Sequence, residues 1–525
     1  GDDDTFTVDG MDVVTGEVVM GTGNDIYTQD GGSIGRLLLG FRDNGAWASD
    51  DAGTTNTATI TSGTTSHIFG TGGIDIITVE TGAAVGGGIF TGNDTDTLTV
   101  NSTIIGSNVD LGNDDDTFDI TGTGGVNGVV TMGRGNDTFT MDGTSINELR
   151  LGFRNNSSWA TTDDAGTTNT ATINTGTVNS HIFGTGGIDI ITIEAGASVG
   201  GTITTGNDAD VVTVNGTSVG GSISTGNGND VITWLGGTLG GQIIGGNGND
   251  TAVISSAAYA GDVIIDGTNF NDFVNNNGTP LDPSDDFVVT DTFVDTLTFD
   301  GANTGVNANT IRGWENVSAV NSTLDFDSLR LNGVSATGNN NVATALNVTG
   351  GDVTLSGASI LADLLGSASN EVLTVTGTTV VSNAIEGGGG ADTISVLGDA
   401  SVTNGVFGGS DGHDASTSTD AGDTITINTT GTVALVDGGL GDDNINLIAG
   451  SVPGSVLGQE GDDTVTVFDG FTVTSLMDGG SNTAVGDTFA VDTATTQTFD
   501  GTQVVNFENL QKDNTGTLIL TGDQT

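Results

Sequence analysis

Residues 205–250 repeat themselves every 20 positions, and no other feature constrains the fold as tightly. They read Thr-Gly-Asn-Asp-Ala-Asp-Val-Val-Thr-Val, then Thr-Gly-Asn-Gly-Asn-Asp-Val-Ile-Thr-Trp from Thr225, then Gly-Gly-Asn-Gly-Asn-Asp from Gly245. The closing aspartates are Asp210, Asp230 and Asp250. Each cycle is a Gly/Asn/Asp turn followed by a short run with Val, Ile or a large residue at alternate positions. A second such run, 219–224, sits between cycles. Two short strands and two glycine-rich corners in about 20 residues mark a stacked β-coil. The expected fold is all-β: a parallel β-solenoid (β-helix), drawn out as a single elongated rod with corner loops.

The rule extends both ways. Asp75, Asp96, Asp116 and Asp137 keep step upstream; Glu371, Asp392, Asp423, Asp443, Asp463 and Asp487 hold the equivalent position downstream. Leu39-Gly40-Phe41-Arg42 returns as Leu151-Gly152-Phe153-Arg154, and residues 66–75 return at 180–189, so 1–112 and 113–226 read as duplicate blocks. Each block carries one longer excursion, 43–55 and 155–168, containing Trp47 and Trp159. Strand patterning resumes directly after each. They therefore read as loops from one corner, with the tryptophans folded back on the flank or offered to a partner. Between 262 and 332 the period blurs around Pro280, Pro283 and the acidic stretch 282–286, and a related succession closes the chain at 478–525. The chain thus divides into a first solenoid segment, 1–332, and a second, 333–525. Allowing for loops, about 22–25 coils at ~4.8 Å each predict a rod on the order of 110 Å long.

The chain has 89 Gly, 3 Pro and no Cys, with 8 basic against 67 acidic residues and a formal net charge of −59. Without cysteine there is no disulfide framework, thiolate metal site or thiol nucleophile. Nucleic acid and anionic membranes need Lys and Arg, so neither is an expected partner. Cations are. No apolar run approaches the ~18 residues of a membrane helix, and the basic-then-apolar start of a signal peptide is missing. Gly1-Asp2-Asp3-Asp4-Thr5-Phe6 matches Asn113-Asp114-Asp115-Asp116-Thr117-Phe118, so the chain is expected to begin in mid-motif. Periodic placement of the 34% apolar residues argues against disorder.

The closing succession of Asp487-Thr488-Phe489, Phe499-Asp500-Gly501, Asn506-Phe507-Glu508-Asn509-Leu510 and Gly516-Thr517-Leu518-Ile519-Leu520-Thr521-Gly522 resembles the passenger region of bacterial type V autotransporters. That resemblance implies a parallel β-helix displayed at the outer membrane, with an adhesive or coating role. The family's translocating barrel is not among these residues. A second resemblance is to the calcium motif of repeats-in-toxin (RTX) proteins, Gly-Gly-x-Gly-x-Asp-x-apolar-x. The runs starting at Gly387 and Gly438 fit it, and those starting at Gly245 and Gly458 nearly do. It implies calcium held by corner oxygens, with Asp250, Asp392, Asp442, Asp443, Asp462 and Asp463 as ligands. Here, however, only one corner per coil carries the motif. The residues themselves leave the aspartate column open between two readings. It is either a set of Asx turns bonding the backbone that follows, or a calcium array drawn by repulsion between stacked carboxylates, about 0.9 kcal/mol per neighbour in water.

The basic stock is Arg36, Arg42, Arg134, Arg150, Arg154, Arg312, Arg330 and Lys512. Arg42 and Arg154 recur beside Asx residues, as structural salt bridges would. His67 and His181 recur within strand-like runs and read as flank residues; His413 lies in a loop. Some β-helices act on polysaccharides, but no nucleophile elbow or carboxylate pair in a sugar-cleft setting emerges, so no enzyme is expected. The expectation is an extracellular bacterial surface solenoid with an adhesive or structural role, bound to a surface or matrix ligand. The alternative is a subunit that polymerises head to tail into a filament or surface layer with the help of calcium.

Overall fold

The computed structural model describes residues 2–40, 53–70, 72–152, 166–184, 186–255, 363–409, 421–482 and 485–522, with short stretches inside 42–47, 154–159 and 263–360. Every regular element among them is a strand. The strands wind into a parallel β-solenoid of about 18 turns, about 21 residues apart. That is fewer turns than the roughly 22–25 expected; among the described residues most steps between successive coils take 20 or 21 residues and three take 31 or 32, while 256–362 is described only in short stretches. The chain forms two compact units, Gly1–Ala252 and Val253–Thr525.

In the first unit a representative coil is Val211–Val214, Ser218–Val219 and Ile223–Asn227. Each strand pairs in parallel with its counterpart one coil on, so that Val212 meets Ile232, Val219 meets Leu239 and Ile223 meets Ile243. β-Branched residues suit the pleat, and the two-residue period sends alternate side chains inward. Val212, Val214, Val219 and Ile223 are buried, while Val211 and Thr213 are half-exposed. Stacking like on like fills the interior: Leu98, Phe118 and Phe139 succeed one another, the two phenylalanine rings edge to face at 5.5 Å. Trp234 is buried, and its Nε1–H donates to Gly236 O at 2.8 Å.

The second unit is built the same way. One ladder runs from Leu373 through Ile394, Ile425, Ile445 and Val465 to Phe489. Trp314 is buried there with its Nε1–H on Ile265 O at 3.2 Å.

Four residues before Asp230 and Asp250 the chain enters the left-handed region, with φ of 101° at Gly226 and 118° at Gly246. A Cβ at Gly226 would also collide with the carbonyl of Gly206 one coil back. Backbone strain and close approach together explain why this corner is glycine.

The two predicted excursions each contain a short antiparallel hairpin, Arg42–Asp43 with Ala46–Trp47 and Arg154–Asn155 with Ser158–Trp159. The side chains of Arg42, Trp47, Arg154 and Trp159, the loop with Pro280 and Pro283, and the loop with His413 lie outside the described residues. No helix among the described residues is long and apolar enough to cross a membrane.

Two substitutions test the corner. Gly226→Ala should cost about 1–3 kcal/mol through backbone strain. Gly86→Ala, where a Cβ meets nothing within 4 Å, should be close to neutral. Urea unfolding followed by circular dichroism reads both.

Candidate functional site: a buried carboxylate column

The aspartate that ends each corner turns inward. Asp75, Asp96, Asp116, Asp189, Asp210 and Asp230 are at most 1% exposed. The Oδ1 atom of each accepts a hydrogen bond from the column residue one coil back. The backbone N–H of Asp75 donates to Asp96 at 2.7 Å, Asp96 to Asp116 at 2.8 Å, Asp189 to Asp210 at 2.8 Å and Asp210 to Asp230 at 2.8 Å. In the second unit Asp392 donates to Asp423, Asp423 to Asp443, Asp443 to Asp463 and Asp463 to Asp487, all at 2.7–2.8 Å. The partners are 20 or more residues apart, so these side chains bridge coils. They do not close their own turns, as the Asx-turn reading would have it.

Two further ladders flank the column on the outside of the corner. One position earlier, Asn136 N–H donates to Asp115 Oδ1 at 2.7 Å, Asn249 N–H to Asn229 at 2.8 Å and Asp462 N–H to Asp442 at 2.9 Å. Three positions earlier, the amides of Asn113, Asn227 and Asn247 donate to Asn93, Asn207 and Asn227 at 2.5–2.6 Å.

The second carboxyl oxygen decides the electrostatics. In Asp96, Asp116, Asp210 and Asp230, Oδ2 is buried and no protein donor reaches it. The residue five positions earlier lies beside it: Thr91 for Asp96, Thr205 for Asp210 and Thr225 for Asp230. These threonines give their one hydroxyl proton to the next coil, Thr91 to Leu111 O at 2.6 Å, Thr205 to Thr225 O and Thr225 to Gly245 O, both at 2.9 Å. The same hydroxyls lie close to the carboxyls, and that contact favours the ionised form against the larger, opposite effect of burial. Burial accordingly pushes the carboxyl of Asp96 up to about 8 and those of Asp116 and Asp210 up to about 9. Asp463 rises to about 7 and Asp230 to about 6, while Asp392 also shifts upward through burial. In the second unit glycine takes the facing position, where a Cβ at Gly387 or Gly458 would run into Asp392 or Asp463 Oδ2.

The residues that the RTX resemblance implies as calcium ligands fall into two groups. Asp250, Asp392, Asp443 and Asp463 belong to the buried column. Asp442 is exposed and Asp462 half-exposed on the outer side of the corner, where Asp462 also accepts the backbone N–H groups of Val485 and Gly486 at 3.0 and 3.1 Å. Among the described residues no three His, Cys, Asp or Glu groups lie together as a metal site would require. The two histidines among the described residues are on the flank: His67 stacks on Phe69 at 5.8 Å and His181 on Phe183 at 5.2 Å. The threonines facing the column were missed at the sequence level, although Thr-Gly-Asn recurring at 205 and 225 was their signal.

Comparison of the chain with protein-family models, with curated proteins and with solved structures finds no match. The fold itself defines the class: a parallel β-solenoid with an internal carboxyl ladder.

The column makes stability depend on pH with an unusual sign. An aspartate that ionises near 3.8 unfolded but near 9 in the fold, as Asp210 does, holds its proton more tightly when folded. Its stabilisation is complete below about 3.8 and is lost as pH rises toward about 9. The melting temperature should therefore fall from mildly acidic to alkaline buffer. Asp210→Asn retains an acceptor and supplies an N–H, so it should flatten that slope. Asp210→Ala strips the Asp189 N–H of its acceptor and should cost about 1–3 kcal/mol.

Proposed function

We propose that this chain is a non-catalytic scaffold of a bacterial cell surface or its surroundings, with an adhesive and structural role. The observation that carries this reading is the axial column. Buried polar groups are spent on bonds between coils, so the fold extends by repetition and needs no open cleft. The hairpins at Trp47 and Trp159 recur in the duplicated blocks and are the contact points for a surface or matrix ligand. Lack of cysteine favours an exported chain, since nothing can cross-link before translocation. Calcium, where it binds, would sit at outward carboxylates such as Asp442 and Asp462.

The test is retention under flow of beads coated with the purified chain on matrix-protein and polysaccharide surfaces. Retention that disappears in the Trp47→Ala, Trp159→Ala double variant, with melting unchanged, is the expected result. Retention by no surface, together with end-to-end filaments in electron micrographs, would replace the adhesive reading with a self-assembling subunit. Dissolution of such filaments by a chelator would make calcium their cement.

A further inference from the structure

Two adjacent outward columns on one face of the first unit are periodic and nearly uncharged, in a chain whose formal charge is −59. That face is the outer surface of the strands that follow the aspartate corner. Thr7 pairs with Thr28, Thr28 with Thr59, Thr59 with Thr78 and Thr78 with Thr99. Past Asp119 the column resumes at Thr140 and continues through Thr172, Thr192 and Thr213 to Thr233. Two residues earlier runs a second outward column that mixes threonine, at Thr5, Thr57, Thr97, Thr117, Thr138 and Thr170, with isoleucine or valine, at Ile26, Ile76, Ile190, Val211 and Val231. The pairing shifts that occur in some of these strands fall after the two columns, not within them.

Three properties point to one occupant. The first is spacing: coils set one repeat at about 4.8 Å and two strand residues set the other at about 6.6 Å. The second is availability. No hydroxyl of the Thr7–Thr233 column bonds to protein among the described residues. Threonines at the margins, such as Thr61, Thr103, Thr121 and Thr144, are bonded to the neighbouring coil. The third is charge. Asp119 is the one carboxylate in the column, and the next outward position, with Asp9, Asp30, Glu80, Asp142 and Glu194, bounds the uncharged strip at a width of two columns; the strip itself suits neither a cation nor an ionic mineral. It also carries no aromatic platform of the kind sugars stack on. What remains is a lattice that is uncharged, both donates and accepts, and repeats in two dimensions on this scale. That lattice is crystalline water.

We propose that the threonine face of the first unit is an ice-binding surface. Methyls and hydroxyls alternate at fixed spacing, and each contact is weak. The coils are locked by the internal column, so their ordering is paid before binding and the contacts add along the face. The assignment goes beyond the scaffold reading and does not depend on where the chain is displayed.

The experiment is partition of the purified full chain into slowly grown polycrystalline ice. The chain should enter the ice, and Thr140→Tyr with Thr172→Tyr should reduce its uptake to that of an inert protein. Thr204→Tyr with Ser224→Tyr, on a different strand of the coil, should leave uptake unchanged; unaltered melting temperatures confirm that both variants fold. Asp119→Thr, which completes the column, should raise uptake. Exclusion of the wild-type chain from ice, or equal uptake by the Thr140/Thr172 variant, would overturn the proposal. So would threonine-dependent capture by crystalline cellulose in place of ice, which would reassign the face to a polysaccharide.

Discussion

The bond from one backbone N–H to a carboxyl oxygen in the next coil sets the rest of the structure. At a solenoid corner the strand ends, its ladder stops, and a main-chain N–H is left inside the wall. A buried N–H without an acceptor costs about as much as a lost hydrogen bond. The column aspartate removes that cost by reaching along the axis, as Asp210 does to Asp189 at 2.8 Å and Asp230 to Asp210 at 2.8 Å. The same reach fixes the stagger of successive coils. Once the corner is registered, the strands on either side of it are registered too, so Val stacks on Ile, Phe on Phe and Thr on Thr.

A column of stacked carboxylates in a low-dielectric interior would be untenable if every one were ionised. The chain resolves this with protons. Burial raises the pKa of Asp96 and Asp210 to about 8 and about 9, outweighing the hydrogen bonds that favour their ionised forms. The formal charge of −59 therefore overstates what the folded chain carries at neutral pH. Exposed carboxylates such as Asp114 and Asp442 on the outer side of the corner are screened by water.

The fold was legible because its period is carried by residue types with few alternatives. Glycine at Gly226 is demanded by a left-handed φ of 101° and a carbonyl one coil away, and alternation in Val211–Val214 leaves one inward face. The role of the aspartates was harder to read. Asx turns, calcium ligands and axial bridges all ask for Asp after Gly and Asn, and the letter does not reveal which way the carboxyl faces. Burial decides it, and burial belongs to the stack: Asp463 and its sequence neighbour Asp462 differ only in which side of the wall they occupy. The excursions were legible as well: a step of 31 residues, as from Asp25 to Asn56, closes one coil just as a step of 20 does.

That longer step also shows how the column is kept intact. At the two excursions of the first unit the column residue is Asn, not Asp: Asn56 and Asn169, both buried; at the 31-residue step of the second unit it remains an aspartate, Asp423. Each asparagine still accepts from the coil before, Asp25 N–H on Asn56 at 3.3 Å and Asp137 N–H on Asn169 at 3.1 Å. Toward the coil after, the donor to Oδ1 is now the side-chain amide, Asn56 to Asp75 at 3.0 Å and Asn169 to Asp189 at 3.2 Å. An amide has the shape of a neutral carboxylic acid and carries its donor at every pH. At these two corners the bridge between coils is therefore made by a group that is neutral at every pH, with one acceptor and one donor.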